Sequence, residues 1–266
     1  MGFEIAEYVR RVAPVEGDDL DFGAFSRDPL PGGALRCLRY MHDVESHTVC
    51  YLRDLLVTQA HRDPEVTTFL TFWNYEEYWH GEAIGRVLAA HGEPSGMARV
   101  APMRTSLGWG DRVAPMTAWL ASLAVREFVA VHMTWGAINE WSTQTGYARL
   151  IARARHPVLT QLLKRIMRQE GRHIDFYSSQ ATRRLASSGA ARRMTRFALR
   201  RFWTPVGAGV MPEPEVRHLI TYLFGDQEGR AAAARIDRHV DRLPGLAGLH
   251  LATGAVDRFA QAAAPV

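Results

Sequence analysis

Two short segments place glutamate and histidine three residues apart: Glu77-Tyr78-Trp79-His80 and Glu170-Gly171-Arg172-His173. A helix turns about 100° per residue, so positions i and i+3 project from one face. Each segment therefore offers one carboxylate and one imidazole to a common ion. That donor set suits iron or manganese, and the lack of thiolate argues against a structural zinc site. A single Glu-x-x-His is weak evidence, because a chain with this many glutamates and histidines yields about one copy by chance. A third copy, Glu215-Val216-Arg217-His218, follows a proline-rich turn and reads as an ordinary helix start.

The context of the first two copies separates them from the third. Pro64 precedes Glu77 by 13 residues, and Pro157 precedes Glu170 by the same 13. Before each proline runs another helical stretch with a glutamate, Glu45 at 19 residues and Glu140 at 17. The chain thus reads twice as helix with Glu, proline break, helix with Glu-x-x-His. Two antiparallel pairs of this kind bring four carboxylates and two imidazoles to one level of a bundle core, the ligand pattern of ferritin-like two-metal proteins. Glu127 competes with Glu140, but it stands 30 residues before Pro157 and out of step with Glu45. Glu140 is the expected ligand. The plain alternative is that all six side chains lie on solvated faces. It fits poorly with Glu77 and His80, which sit among Phe69, Phe72, Trp73, Tyr75, Tyr78 and Trp79. A carboxylate in so apolar a stretch needs a partner.

The elements that position these residues are legible from periodicity and breakers. Residues 1–32 carry many Pro and Gly and read as a short helix and a wrapping segment. Helical spacing runs from Gly33 to about Ala60, from Glu65 to Ala90, from Met116 to about Arg155 and from Val158 to about Ser187. Pro64 and Pro157 start two of these helices. The Gly- and Pro-containing stretch between Ala90 and Pro115 reads as a loop. Further helical segments follow Gly189. The expectation is an all-α, ferritin-like four-helix bundle in one domain, with a metal-binding core at 33–188 and additional C-terminal helices at 189–266.

Three segments resemble the soluble acyl-carrier-protein desaturases, a ferritin-like di-iron family: FWNYEEYWHGEAI, NEWSTQTGYARLIA and RQEGRHIDFY. The resemblance covers about residues 35–185. It implies that Glu45, Glu77, His80, Glu140, Glu170 and His173 hold two Fe ions, with Mn as the other candidate. It also implies an external electron donor such as ferredoxin, and a carrier-bound acyl thioester as substrate. Thr143, one turn past Glu140, matches a family threonine beside the oxygen-binding face, where it would relay a proton; the alternative is a helix threonine bonded back to the backbone. The family usually has Asp before the last Glu-x-x-His, and this chain has Gln169. Arylamine N-oxygenases carry an extra histidine where this chain has Ile166, which argues against that related family.

Composition narrows the rest. With 266 residues, 47% hydrophobic and 23% charged, the chain is globular. No stretch reads as a membrane span and the first residues do not read as an export signal, so the expected location is cytoplasmic. The net charge of +4 is almost all arginine, too mild to demand nucleic acid. Seven arginines between Arg183 and Arg201 suit an acidic acyl carrier protein, with a solvated helix face as the alternative. A homodimer is compatible with the chain. The expected activity is an oxygen-dependent di-iron oxidase of an acyl chain, as desaturase or hydroxylase. The competing readings are a storage-type or non-catalytic metal binder, and a helical interaction protein with a vestigial site. Trp135, Trp141, Met167 and Phe176 are apolar, and any of them that face inward would line a dry, elongated pocket suited to an alkyl chain.

Overall fold

Asp63-Pro64 and His156-Pro157 each start a long helix in the same way. Asp63 accepts hydrogen bonds from the Glu65 and Val66 amides, and His156 Nδ1 accepts from Leu159 N. Proline then occupies the first helical position, where its missing N–H costs nothing. The computed structural model describes residues 3–124 and 127–261, with helices as the regular elements among them. The two proline-started helices are α4 (Pro64–Ala90) and α8 (Pro157–Ser187), after α1 (Ile5–Arg11), α2 (Ala24–Arg27) and α3 (Gly32–Leu56). Between them lie α5 (Met97–Thr105), α6 (Trp109–Ala124) and α7 (Phe128–Ala154). The chain continues through α9 (Gly189–Phe202), α10 (Glu213–Phe224), α11 (Gln227–Asp241) and α12 (Leu251–Gln261).

Helix α3 pairs with α4 and α7 pairs with α8, each through a short connection that makes the partners antiparallel. Arg155 closes the second connection in the left-handed region (φ 51°), donating its amide to Ile151 O. The pairs meet through α4 against α8 and α3 against α7, which closes a four-helix core. Helices α4 and α8 run antiparallel, with Asp63 at the start of one pairing with Arg184 near the end of the other, and Glu77 and Glu170 meet at one level because each lies near mid-helix. No described helix is long and apolar enough to cross a membrane.

Two expected boundaries shift. The stretch after Ala90 contains α5 and the start of α6, so it is not a loop. The third core helix begins at Phe128 rather than Met116, and residues 125–126 lie outside the described ones. Pro115 sits inside α6. A helical proline frees the carbonyl four residues earlier, and here Arg53 of α3 donates to that carbonyl, Asp111 O, at 3.1 Å. The apolar spacing read from Met116 onward is real, but Trp119, Leu120 and Leu123 remain exposed.

The C-terminal helices form a second layer on α3 and α7. Buried Arg149 ties that layer down by donating to Leu223 O and to the carboxylates of Asp226 and Glu228. The N-terminal segment covers the opposite side. Phe3 and Tyr8 pack on Phe69, and Phe3 also packs on Phe176.

Candidate metal centre

Glu45 comes from α3, Glu77 and His80 from α4, Glu140 from α7, and Glu170 and His173 from α8. All six are buried. Their donor atoms form two groups, Glu45–Glu77–His80–Glu170 and Glu77–Glu140–Glu170–His173, each with its atoms within 4.8 Å of one another. Glu77 and Glu170 belong to both groups. Two ion positions with two shared carboxylates, one terminal carboxylate each and one imidazole each follow from that overlap. The rejected candidate, Glu127, lies at the start of α7 and accepts a hydrogen bond from Ser188 Oγ. The third motif is a helix start: Glu215 pairs with Arg36, and His218 reaches Gly33 O.

Both imidazoles turn Nδ1 toward the cluster. His80 Nδ1 lies 3.5 Å from Glu77 and 3.4 Å from Glu170. His173 Nδ1 lies 3.1 Å from Glu77, 3.0 Å from Glu170 and 3.8 Å from Glu140. The outer nitrogens are held by side chains from the other hairpin. His173 Nε2 meets Glu76 Oε2 at 2.9 Å, and His80 Nε2 meets Gln169 Oε1 at 2.9 Å. Glu76 and Gln169 each precede the glutamate of a Glu-x-x-His, so the internal repeat extends to the supporting residues. Tyr8 donates to Glu76 at 2.9 Å, and Arg172 pairs with its other oxygen. Gln169 in turn donates to Ala13 O. Among the terminal carboxylates, Glu45 accepts from Tyr147 and Glu140 accepts from Trp73 Nε1 at 3.0 Å.

Titration follows from crowding. Burial, then Glu77, pushes Glu45 well above the ordinary carboxylate range; burial, then Glu170 and Glu77, does the same to Glu140. Burial also works against the charged form of Glu77, but its close contacts with Glu45, His173 and His80 hold it low. Burial disfavours the His80 imidazolium, yet Glu170 and Glu77 outweigh it and raise the pKa to about 9. The metal-free cluster therefore holds itself together with protons. Two divalent cations balance four carboxylates and leave both imidazoles neutral, the form that ligates. The residues fit such a pair: His80 Nδ1 and Glu170 Oε1 are buried at the centre with no hydrogen-bond partner among the described residues. Buried polar atoms are rarely left so.

All four carboxylates line a cavity of about 160 Å³ that neither histidine lines. Trp73, Tyr177, Val44 and Val206 form its apolar wall, and Asn139 and Thr143 add polar groups. Gly136 makes room there, since a Cβ on it would fall 2.3 Å from the Tyr177 ring. Gly207, at φ 81°, carries the following loop hard against Tyr40 and Val44. Val44, Glu45, Thr143 and Val206 also line a narrow apolar cavity of about 90 Å³ that extends among α10, α11 and α12. On the other side, His47, Tyr51 and Val210 join the metal-side cavity to a wide surface groove between α3, α5, α6 and the loop before α10.

The expected pocket residues are elsewhere. Trp141 stacks on His239, and Phe176 stacks on Phe69 at 3.7 Å. Neither they nor Trp135 and Met167 line these cavities, because they occupy helix faces turned to neighbouring layers. Thr143 does line both cavities. Its neighbours Ser142 and Thr145 bond back to the carbonyls of Ile138 and Trp141, whereas no such bond is seen for Thr143 among the described residues. The arginine cluster is only partly free. Arg183 and Arg184 pair with Glu65 and Asp63, while Arg192 and Arg196 donate to backbone carbonyls. Arg193, Arg200 and Arg201 stay exposed around Phe197.

No protein-family model matches the chain, and no curated protein is found as a relative. Fold and site define the class on their own: an all-helical protein whose buried carboxylate–histidine clusters can hold metal. 

Proposed function

We infer that the chain is a ferritin-like, oxygen-dependent di-iron oxidase that acts on an acyl chain delivered by a carrier protein. The observation that carries this reading is the pair of four-residue clusters sharing Glu77 and Glu170, with a cavity opening on their carboxylate side. When bound and reduced, an iron pair supplies the oxygen chemistry that removes hydrogen from an unactivated carbon. The chain's own residues do the rest. Glu45 and Glu140 are terminal ligands, while Glu76 and Gln169 aim the imidazoles. Trp73, Tyr177 and Val206 keep water from the reacting face. Thr143 holds a hydroxyl, not committed to the helix backbone, beside Glu45 and Glu140, where it can pass a proton.

The apolar cavity among α10–α12 supports an extended alkyl substrate over a storage role, which has no use for it. The lining residues it shares with the metal-side cavity, Val44, Glu45, Thr143 and Val206, support a path with the head group in the groove, the reacting carbon over the carboxylates and the tail in the C-terminal layer. Desaturation and hydroxylation differ only in the fate of the carbon after the first hydrogen is lost. Both remain within the reading.

The test is iron content of purified protein, then oxygen consumption with acyl-carrier, acyl-CoA and free-acid substrates, and product analysis for alkene or alcohol. Turnover only with non-acyl molecules would defeat it. Carrier docking on arginines predicts affinity that falls with salt. Reversal should be tried at Arg193, Arg200 and Arg201; Arg192 is a poor choice, since its bonds to Leu185 O and Ala186 O secure the turn.

A further inference from the structure

A different kind of donor set converges where the groove meets the metal-side cavity. His47 and Cys50 lie one turn apart on α3, and Asp111 lies in the first turn of α6. Their ligand atoms lie within 4.8 Å of one another, and all three residues are half-buried. A tetrahedral shell with one sulfur and two harder donors needs separations of about 3.5 Å, so modest side-chain rotations close it. His47 Nδ1 is buried and has no hydrogen-bond partner among the described residues. Asp111 is already aimed, because Arg53 donates to its two oxygens at 3.1 and 3.3 Å. Such an outer contact fixes a ligating carboxylate and leaves lone pairs for an ion. Arg53 also pairs with Asp54 at 2.8 Å, which offsets its charge.

We propose that His47, Cys50 and Asp111 form a mononuclear site for a borderline divalent cation, with Zn²⁺ the best match. Thiolate with imidazole selects against Mg²⁺, Ca²⁺ and Mn²⁺. The carboxylate-rich pair has no thiolate, so the two sites differ in chemistry. One thiolate and one carboxylate neutralise one divalent ion. The ion ties α6 to α3 at the junction, since His47 lines both the groove and the inner cavity and Asp111 lines the groove. Three protein ligands leave a fourth position for water or a head group. The site stands on its own residues and does not depend on the acyl reading.

Cobalt(II) is the probe, because a thiolate bound to it absorbs in the near ultraviolet and a carboxylate–imidazole site lacks that band. Anaerobic titration of the wild-type chain should produce the band. It should persist in Cys37→Ser, which removes the chain's other cysteine, buried elsewhere on α3, and in the double variant Glu77→Ala, Glu170→Ala, which disables the paired site. It should vanish in Cys50→Ser with the circular dichroism unchanged. As a second measurement, Zn²⁺ should slow alkylation of Cys50 by about tenfold or more in the wild type, and that protection should be lost in His47→Ala and Asp111→Asn. No band in the wild type, a band that survives Cys50→Ser, or Zn²⁺ protection that survives His47→Ala would each overturn the proposal.

Discussion

The two ion positions are built from the same parts and supported differently. At one, His173 leans on a carboxylate: Glu76 is held below the ordinary range because His173 and Arg172 outweigh its burial. At the other, His80 leans on the neutral amide of Gln169. An anion behind a ligating imidazole makes it a stronger donor than an amide does. Repetition of the backbone thus yields equivalent geometry with unequal chemistry. The His173 position should be the tighter of the two.

The largest expected effect comes from removing what the halves share. Glu77→Ala or Glu170→Ala should empty both positions, whereas Glu45→Ala or Glu140→Ala should empty one; metal analysis after desalting reads the difference. Equal loss from all four variants would mean the carboxylates are not divided as shared and terminal. Next in size, Glu76→Gln should weaken one step of a two-step metal titration by about 10–100-fold. Gln169→Glu should strengthen the other step and bring the two affinities together. If Glu76→Gln weakens both steps alike, the halves are not independent.

Proton and metal compete for the same atoms, which gives a pH prediction. With no ion, His80 has a pKa raised to about 9, against about 6.5 for a free imidazole. A raised histidine adds stability that is complete below the unfolded value and is lost as pH climbs through the folded one. His80 should therefore cost metal-stripped protein on the order of 3 kcal/mol between pH 6.5 and 9, and His173, raised in the same direction, should add to the loss. Thermal melts across that range check it, and His80→Gln should flatten the curve. Loaded protein should show the reverse tendency in affinity, since ligands must shed protons to bind. The smallest effect concerns the outer ends: Trp73→Phe removes one donor to Glu140 and Tyr147→Phe removes one to Glu45. Each should cost its own position about 0.5–1.5 kcal/mol, seen in the matching titration step.

The clustering of the six candidate ligands was legible because their motifs repeat. Equal spacing from Pro64 to Glu77 and from Pro157 to Glu170 turned two weak motifs into one level of a core, and the six residues converge there. Glu76 carried the same signal, as the counterpart of Gln169 before each Glu-x-x-His, but its partner His173 is 97 residues away and spacing alone does not name it. The pocket lining was not legible. Trp141 and Phe176 are as apolar as Trp73 and Tyr177, and which ones face the cavity depends on helix rotation against neighbours. Helix α6 starts earlier than the sequence predicts because Pro115 reads as a breaker, and the group that satisfies the carbonyl it frees, Arg53, is far away in sequence.

The N-terminal segment has a consequence for biosynthesis. Tyr8 braces Glu76, and Ala13 O receives Gln169, so residues that precede α3 complete the support of both imidazoles. Those residues emerge from the ribosome long before α8 exists. A nascent chain can form α3 and α4, yet its first residues have no complete seat until about residue 176 has been made. The strap is thus translated before α8, the helix that completes its seat.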